Sequence, residues 1–180
     1  MLSDEQIMYN VADGDIRQSG LLYERYNVLM YNYFLRTTYD QSLSQDLTQQ
    51  VFIKLIKYRT TYKNENSFKS WLYRVATNVR NDHYRKEKSL KNRNEKYSSR
   101  QDDTYNPLEK MAKSECEKQL HRAIEKLPND QRQVIWLTRF EKMKYADVAK
   151  VMQTTESAIK VKVHRAIKRL RVEYMQLEEM

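Results

Sequence analysis

Residues 145–171 read YADVAKVMQTTESAIKVKVHRAIKRLR, two short amphipathic helical patterns joined by a polar turn, with positive charge concentrated on the second. Ile159, Val163, Ile167 and Leu170 recur at helical spacing and are expected to form the buried stripe of the second helix. Lys160, His164, Lys168 and Arg171 fall on a different face. Val148, Ala149 and Met152 give the preceding helix its own apolar side, Gln153-Thr154 has the length of a tight turn, and Thr155 or Ser157 can cap the second helix. The stretch therefore reads as a helix-turn-helix, with one face packed and the other offered to base edges and phosphates. The bland alternative is a charge run that only solvates an exposed helix. An apolar face on each helix, with a capped turn between them, argues against it.

Composition points the same way. A net charge of +9 and a pI near 9.5 favour a polyanionic partner, because neutralised phosphates release condensed counterions. The hydrophobic share of 40%, with 14 tyrosines, supplies enough apolar surface to fold and excludes a disordered basic tail. The only glycines are Gly14 and Gly20 and the only prolines Pro107 and Pro128, so turn-rich strand folds and glycine-rich phosphate loops are both disfavoured. The expected class is all-α, in two small helical domains. Cys116 stands alone, which leaves no internal disulfide framework and no cysteine metal cluster. His83, His121 and His164 are scattered without acidic companions, so no metal and no cofactor is expected. Asp4 and Glu5 stand where a signal peptide would be basic, and no apolar span is long enough for a bilayer. A cytoplasmic location without membrane insertion is the expectation.

Between Lys86 and Glu109 the apolar periodicity fails. The run mixes both charges with Ser and Asn, reads as a linker, and has as its alternative a solvated connecting helix. Before it, Ile7 and Val11 mark a short helix, Leu21, Leu22, Tyr26, Leu29 and Met30 a second, Leu47, Val51, Phe52 and Leu55 a third, and Leu72, Val75, Ala76 and Val79 a fourth. After it, Leu120, Ile124 and Leu127 make one helix, and Pro128-Asn129-Asp130 signals the start of another carrying Val134, Ile135 and Leu137.

Two N-terminal segments add a resemblance. DLTQQVFIKLIK at 46–57 and FKSWLYRVATNVRNDHYRK at 68–86, followed by the terminal helix-turn-helix, closely resemble the bacterial sigma factors of the extracytoplasmic-function (ECF) type, a branch of the sigma-70 family. The resemblance runs along nearly the whole chain. It implies a region 2 domain over 1–86, a linker over 87–112 and a region 4 helix-turn-helix domain over 113–180. It also implies a transcription initiation factor that binds core RNA polymerase through the β′ clamp helices and β flap, directs it to promoter −10 and −35 elements, and assists melting without catalysing a reaction. An anti-sigma factor, itself membrane-bound, belongs to the same implication.

Each part has a physical reading beside the resemblance. On the helix from Asp46, the stripe Leu47, Val51, Leu55 leaves Asp46, Gln49, Gln50 and Ile53 on another side, a protein-docking surface that the resemblance assigns to core polymerase. Asp46 is equally readable as an N-terminal acid favoured by the helix dipole. On the Trp71 helix, Arg74, Asn78, Asp82 and Arg85 share a face opposite the apolar one. An amide donates and accepts at once, so Asn78 suits the edge of an unstacked base, with Arg74 and Arg85 on phosphates. By resemblance, Asn78 and the polar loop after Tyr62, comprising Lys63, Asn64, Glu65, Asn66 and Ser67, trap a non-template base of the −10 element. The plainer reading has Asn78 bonded to nearby backbone. Trp71 reads first as a core anchor and second as a stacking platform, a role open to Tyr73 as well.

The resemblance places −35 recognition on the helix from Thr155 to Leu170, through Thr155, Ser157, Lys160, Val161, His164, Arg165 and Lys168. Arg165 is the choice for a bidentate bond to guanine and Val161 for a thymine methyl. Lys162, Lys168 and Arg169 are assigned to phosphate or solvent. Relatives often carry glycine where this chain has Lys142, Gln153 and Ser157, which predicts strained or differently wound turns. Lys144 replaces the usual hydroxyl N-cap. The competing reading is a stand-alone helix-turn-helix regulator, but the N-terminal half shows neither a ligand-pocket composition nor a heptad seam. A nuclease would need clustered carboxylates, and the acids here are dispersed.

Overall fold

The computed structural model describes residues 2–63, 67–93 and 114–178. Every regular element among them is helical: α1 (Asp4–Asp13), α2 (Ser19–Thr38), α3 (Gln41–Lys57), α4 (Phe68–Arg93), α5 (Glu115–Glu125), α6 (Asn129–Ile135), α7 (Tyr145–Val151) and α8 (Glu156–Glu178). Short 3-10 turns lie at Ile16–Gln18 and Arg59–Thr61, and α6 runs directly into a π-helical turn, Trp136–Phe140.

Local chemistry sets several helix ends. Ser3 accepts from the Gln6 N–H at 3.2 Å to start α1, and the helix closes on Gly14 at φ 122°, where the Asp15 N–H reaches the Asn10 carbonyl. Asp40 accepts from the Leu43 N–H at 2.9 Å, so α3 begins at Gln41 and not at the expected Asp46. Asp46 thus stands in the second turn, where the helix dipole has little hold.

The chain divides into two compact units. Unit 1 holds the described residues up to Tyr31 and those from Gln45 through α4; unit 2 holds Asn32–Ser44 and those from α5 onward. The α2–α3 corner therefore belongs with the C-terminal helices. This departs from a simple division at the expected linker, and α4 itself continues to Arg93, past the expected linker start at 87. Lys88, Ser89 and Leu90 are exposed, as in a solvated helical extension.

Unit 1 is built around aromatic rings. Phe68 is fully buried and meets Tyr26 at 5.1 Å and Tyr62 at 6.3 Å between centroids, while Tyr62 meets Trp71 at 5.6 Å. Edge-to-face pairs of this kind add to the burial itself. Trp71 is 9% exposed and Tyr73 is buried, so both are core residues and neither is a stacking platform. Leu22, Tyr26 and Met30 form the α2 stripe, whereas Leu21 and Leu29, expected inside, are exposed. Residues 22, 26 and 30 follow one i, i+4 row, and their neighbours fall off its edge. Asp4 on α1 ties α2 through Arg25 at 2.5 Å and the Tyr26 hydroxyl at 2.6 Å. Glu5 accepts from the Phe68 N–H at 3.2 Å, which satisfies a first-turn donor of α4.

Unit 2 packs α8 against α5, α6 and α7. Its seam is Ile159, Val163 and Ala166, with Leu170 half-buried. Ile167, expected in that stripe, is 41% exposed and Ala166 takes the inner place. Residues 159, 163, 166 and 170 follow one helical row, and 167 falls at its edge. From the α2–α3 corner, Tyr33, Phe34, Leu35 and Thr37 are buried in the same unit. The Arg36 guanidinium lies 5.6 Å from the Trp136 ring centre and 5.5 Å from that of Phe140, and 3.3 Å from the buried Glu141 carboxylate. The π turn brings Trp136 and Phe140 to 4.0 Å, making the aromatic wall against which that cation rests.

Candidate nucleic-acid interface

Three faces lie exposed on helices whose opposite sides are buried. On α3, Leu47, Val51 and Leu55 are fully buried, and Asp46, Gln49, Gln50 and Ile53 are exposed, Ile53 by 64%. Two carboxamides, one carboxylate and one bare aliphatic suit a partner surface that is partly apolar, with a few donors.

On α4, Leu72, Val75, Ala76 and Val79 are all buried. Arg74, Asn78 and Arg85 are exposed on the far side. The Asn78 side chain makes no hydrogen bond to a described residue, so its amide keeps both donor and acceptor for solvent or a ligand. Asp82 shares the face but is engaged: Lys54 from α3 donates to it at 2.8 Å and Arg85 at 2.9 Å. The bond from Lys54, aided by the charges of Lys54, Arg85 and Lys86, holds the Asp82 carboxyl below its ordinary range. The effect is to engage Lys54 and one guanidinium nitrogen of the exposed Arg85 while the Asn78 side chain stays uncommitted. Lys63 and Ser67 are exposed where the chain approaches α4; Asn64, Glu65 and Asn66 lie outside the described residues. Tyr62, next to them, is drawn into the ring cluster, and burial, with the charges of Glu5 and Asp4, pushes its hydroxyl up to about 12.

On α8, Thr155 is the cap, accepting from the Ala158 N–H at 3.2 Å; Ser157 is already within the helix. Ser157, Lys160, Val161, His164, Arg165 and Lys168 are all exposed, Val161 by 49%. Lys160 pairs with Glu156 one turn back at 2.9 Å. Lys162 and Arg169, assigned by sequence to phosphate or solvent, sit on an edge of α8 turned to other partners. Lys162 Nζ donates to Asp130 at 2.9 Å, and Arg169 lies 3.6 Å from Glu173. The turn into α8 closes on Gln153 at φ 52°, and the turn after the π segment on Lys142 at φ 52°. Left-handed backbone thus occurs at two of the three positions where glycine was expected, while Ser157 is helical. Lys144 precedes α7 with no side-chain cap bond.

Sequence reasoning missed Asp130, Lys54 and Glu141, because their roles come from partners remote in sequence. The α6-start signal at Asp130 was visible; its bond to α8 was not.

The family comparison settles the larger question. The sigma-70 region 2 family model matches residues 22–90, and sigma-70, region 4 matches 117–170, together more than half the chain. The chain belongs to the sigma-70 family. Among curated relatives, the RNA polymerase sigma-H factor of Pseudomonas aeruginosa is 29% identical, over 91% of this chain and 89% of that one. ECF RNA polymerase sigma factor SigX of Bacillus subtilis is 28% identical, over 84% and 80% respectively. In fold, the sigma factor resembles CnrH, solved with the cytosolic domain of CnrY, at TM-score 0.71 and 20% identity over 94% of this chain and 95% of that one. RpoE of Bartonella quintana, solved with the anti-sigma factor NepR, gives TM-score 0.68 and 17% identity over 86% and 94%. This sigma factor is a transcription initiation factor that directs RNA polymerase to promoters. No described helix is long and apolar enough to cross a membrane, and no group of three or more potential metal ligands occurs among the described residues.

Proposed function

We propose that the three exposed faces divide the work of initiation. The α3 face of Asp46, Gln49, Gln50 and Ile53 docks on the β′ clamp helices of core polymerase, Ile53 filling an apolar recess while the amides fix register. The α4 face captures a non-template base of the −10 element, Asn78 reading its edge, Arg74 and Arg85 holding phosphates, and Lys63 to Ser67 closing over it. Capture of unstacked bases offsets the cost of opening the duplex. The α8 face reads the −35 element through Arg165, Lys160, Val161 and His164, with Lys168, Thr155 and Ser157 positioned on the backbone, and unit 2 meets the β flap. Two weak DNA contacts become effective together once polymerase fixes their spacing. The functional regions are 1–86 and 113–180, joined by 87–112. The sigma factor is non-catalytic and acts in the cytoplasm. An anti-sigma factor is a further partner, by analogy with the NepR-bound relative.

The observation that carries this reading is Asn78: an exposed, uncommitted amide flanked by two exposed arginines on a helix otherwise fixed by a fully buried stripe. Native association with core polymerase tests the α3 face, and promoter opening by the assembled complex tests the α4 face. Asp46→Ala/Gln50→Ala is expected to weaken association, and Asn78→Ala to leave association intact while abolishing opening. Sequence-specific DNA binding without any association with core polymerase would sink the reading in favour of the stand-alone regulator.

A further inference from the structure

Ile159, Val163 and Ala166 are the buried positions of α8, with Leu170 half-buried, and they set its depth against α5, α6 and α7; contacts at the edge of that stripe add to what sets the roll of the helix about its own axis. Roll decides what the exposed face presents. Side chains stand about 5–6 Å from a helix axis, so a 20° roll moves a head group by about 2 Å. A hydrogen bond tolerates only about 0.5 Å in length.

One edge of α8 carries contacts that resist such a roll. Lys162 Nζ donates to Asp130 at 2.9 Å, and Glu173, three turns on, lies 4.0 Å from Lys126 at the end of α5 and 3.6 Å from Arg169. Residues 162, 169 and 173 share a face offset from both the buried seam and the face of Lys160, Val161, His164 and Arg165. Asp130 is itself well fixed. It stands in the first turn of α6 after Pro128, and its Oδ1 accepts from the Gln131 N–H at 2.9 Å. The bond from Lys162 is the largest of the influences holding its carboxyl below the ordinary range.

We propose that Asp130 is a positioning residue for −35 recognition: by holding Lys162 it sets the roll of α8 and withholds the Lys162 charge from DNA phosphates. The proposal rests on the reading of α8 as the −35 helix. As a partly exposed pair, Lys162–Asp130 contributes little to stability, so its consequence lies in geometry and in charge placement.

The test uses the full chain assembled with core polymerase, on duplexes with a fixed −10 element and a −35 sequence first selected from a randomised pool by the wild-type complex. Two quantities are read: the affinity ratio between selected and scrambled −35 sequences, and the slope of log affinity against log salt. Asp130→Asn keeps a side-chain oxygen that can accept from the Gln131 N–H while removing the charge. It is expected to lower the ratio by about 3–10-fold and to steepen the salt slope by about one, because the released lysine reaches a phosphate. Lys162→Met should lower the ratio without steepening the slope, and the double variant should return the slope to the wild-type value. An unchanged ratio and slope in Asp130→Asn would overturn the proposal, leaving an ordinary surface pair. Arg165→Ala serves as the separate control: if it leaves the ratio intact, α8 is not the −35 reader and the underlying reading fails first.

Discussion

Glycine substitution at three positions of unit 2 should change stability with opposite signs. Gln153 occupies the residue after the α7 cap at φ 52°, with the Thr154 N–H on the Ala149 carbonyl at 3.0 Å and the Gln153 N–H facing the Lys150 carbonyl at 3.4 Å. That is a Schellman closure, the geometry that α1 completes with Gly14. Lys142 has the same φ, and the Met143 N–H reaches the Leu137 carbonyl at 3.0 Å around the π turn. A non-glycine residue in this conformation costs about 1–2 kcal/mol, and glycine loses about 0.5–1 kcal/mol more chain entropy on folding. Lys142→Gly and Gln153→Gly should therefore each stabilise by roughly 0.5–1 kcal/mol, since both side chains are exposed. Ser157 lies in the first turn of α8, and Ser157→Gly should destabilise by about 0.5 kcal/mol. In a unit of under about 100 residues, 1 kcal/mol moves the melting midpoint by about 4–8 °C. Thermal unfolding followed by circular dichroism, with denaturant midpoints at constant slope, measures all three. Gln153→Asn should fall between wild type and glycine. The same sign at all three positions, or loss of stability in Gln153→Gly, would refute the backbone argument.

Further predictions concern the core and the sites. Phe68→Ala removes the ring shared by Tyr26, Tyr62 and Trp71 and should cost about 3–5 kcal/mol, read as a lowered denaturant midpoint for unit 1. The Tyr62 hydroxyl is raised from 10.0 to about 12 in the fold, so the stability tied to its neutral form is complete below pH 10 and is lost as pH rises toward 12. Tyr62→Phe should flatten that alkaline loss; an unchanged pH profile would show that another group is responsible. Arg165→Ala should reduce discrimination at one −35 position by about 1–3 kcal/mol, measured as an affinity ratio between matched and substituted promoters, and should leave binding to core polymerase unchanged.

Much of this architecture is legible in local patterns. The stripes Leu47-Val51-Leu55 and Leu72-Val75-Ala76-Val79 are buried as their spacing requires, and the polar faces opposite them are exposed. The helix-turn-helix appears where its turn and cap residues stand. Periodicity reads these because a helix has one inward direction, repeated every 3.6 residues. It reads less well where two rows compete. Leu21 and Leu29 on α2 are as apolar as Leu22 and Met30, and only the neighbours decide which row goes in. Ala166 lies inside and Ile167 outside for a related reason, since 159, 163, 166 and 170 make one row and 167 falls at its edge.

What the sequence by itself determined was the all-helical class and the polar helix faces left exposed opposite the buried stripes, because these depend on side chains a turn or two apart. The tertiary structure alone decided that Asn32–Ser44 joins the C-terminal unit, that Arg36 rests on Trp136, Phe140 and Glu141, and that Lys162 turns to Asp130. Those contacts join residues 32 to 105 positions apart, and no local pattern records which distant partner will be within reach.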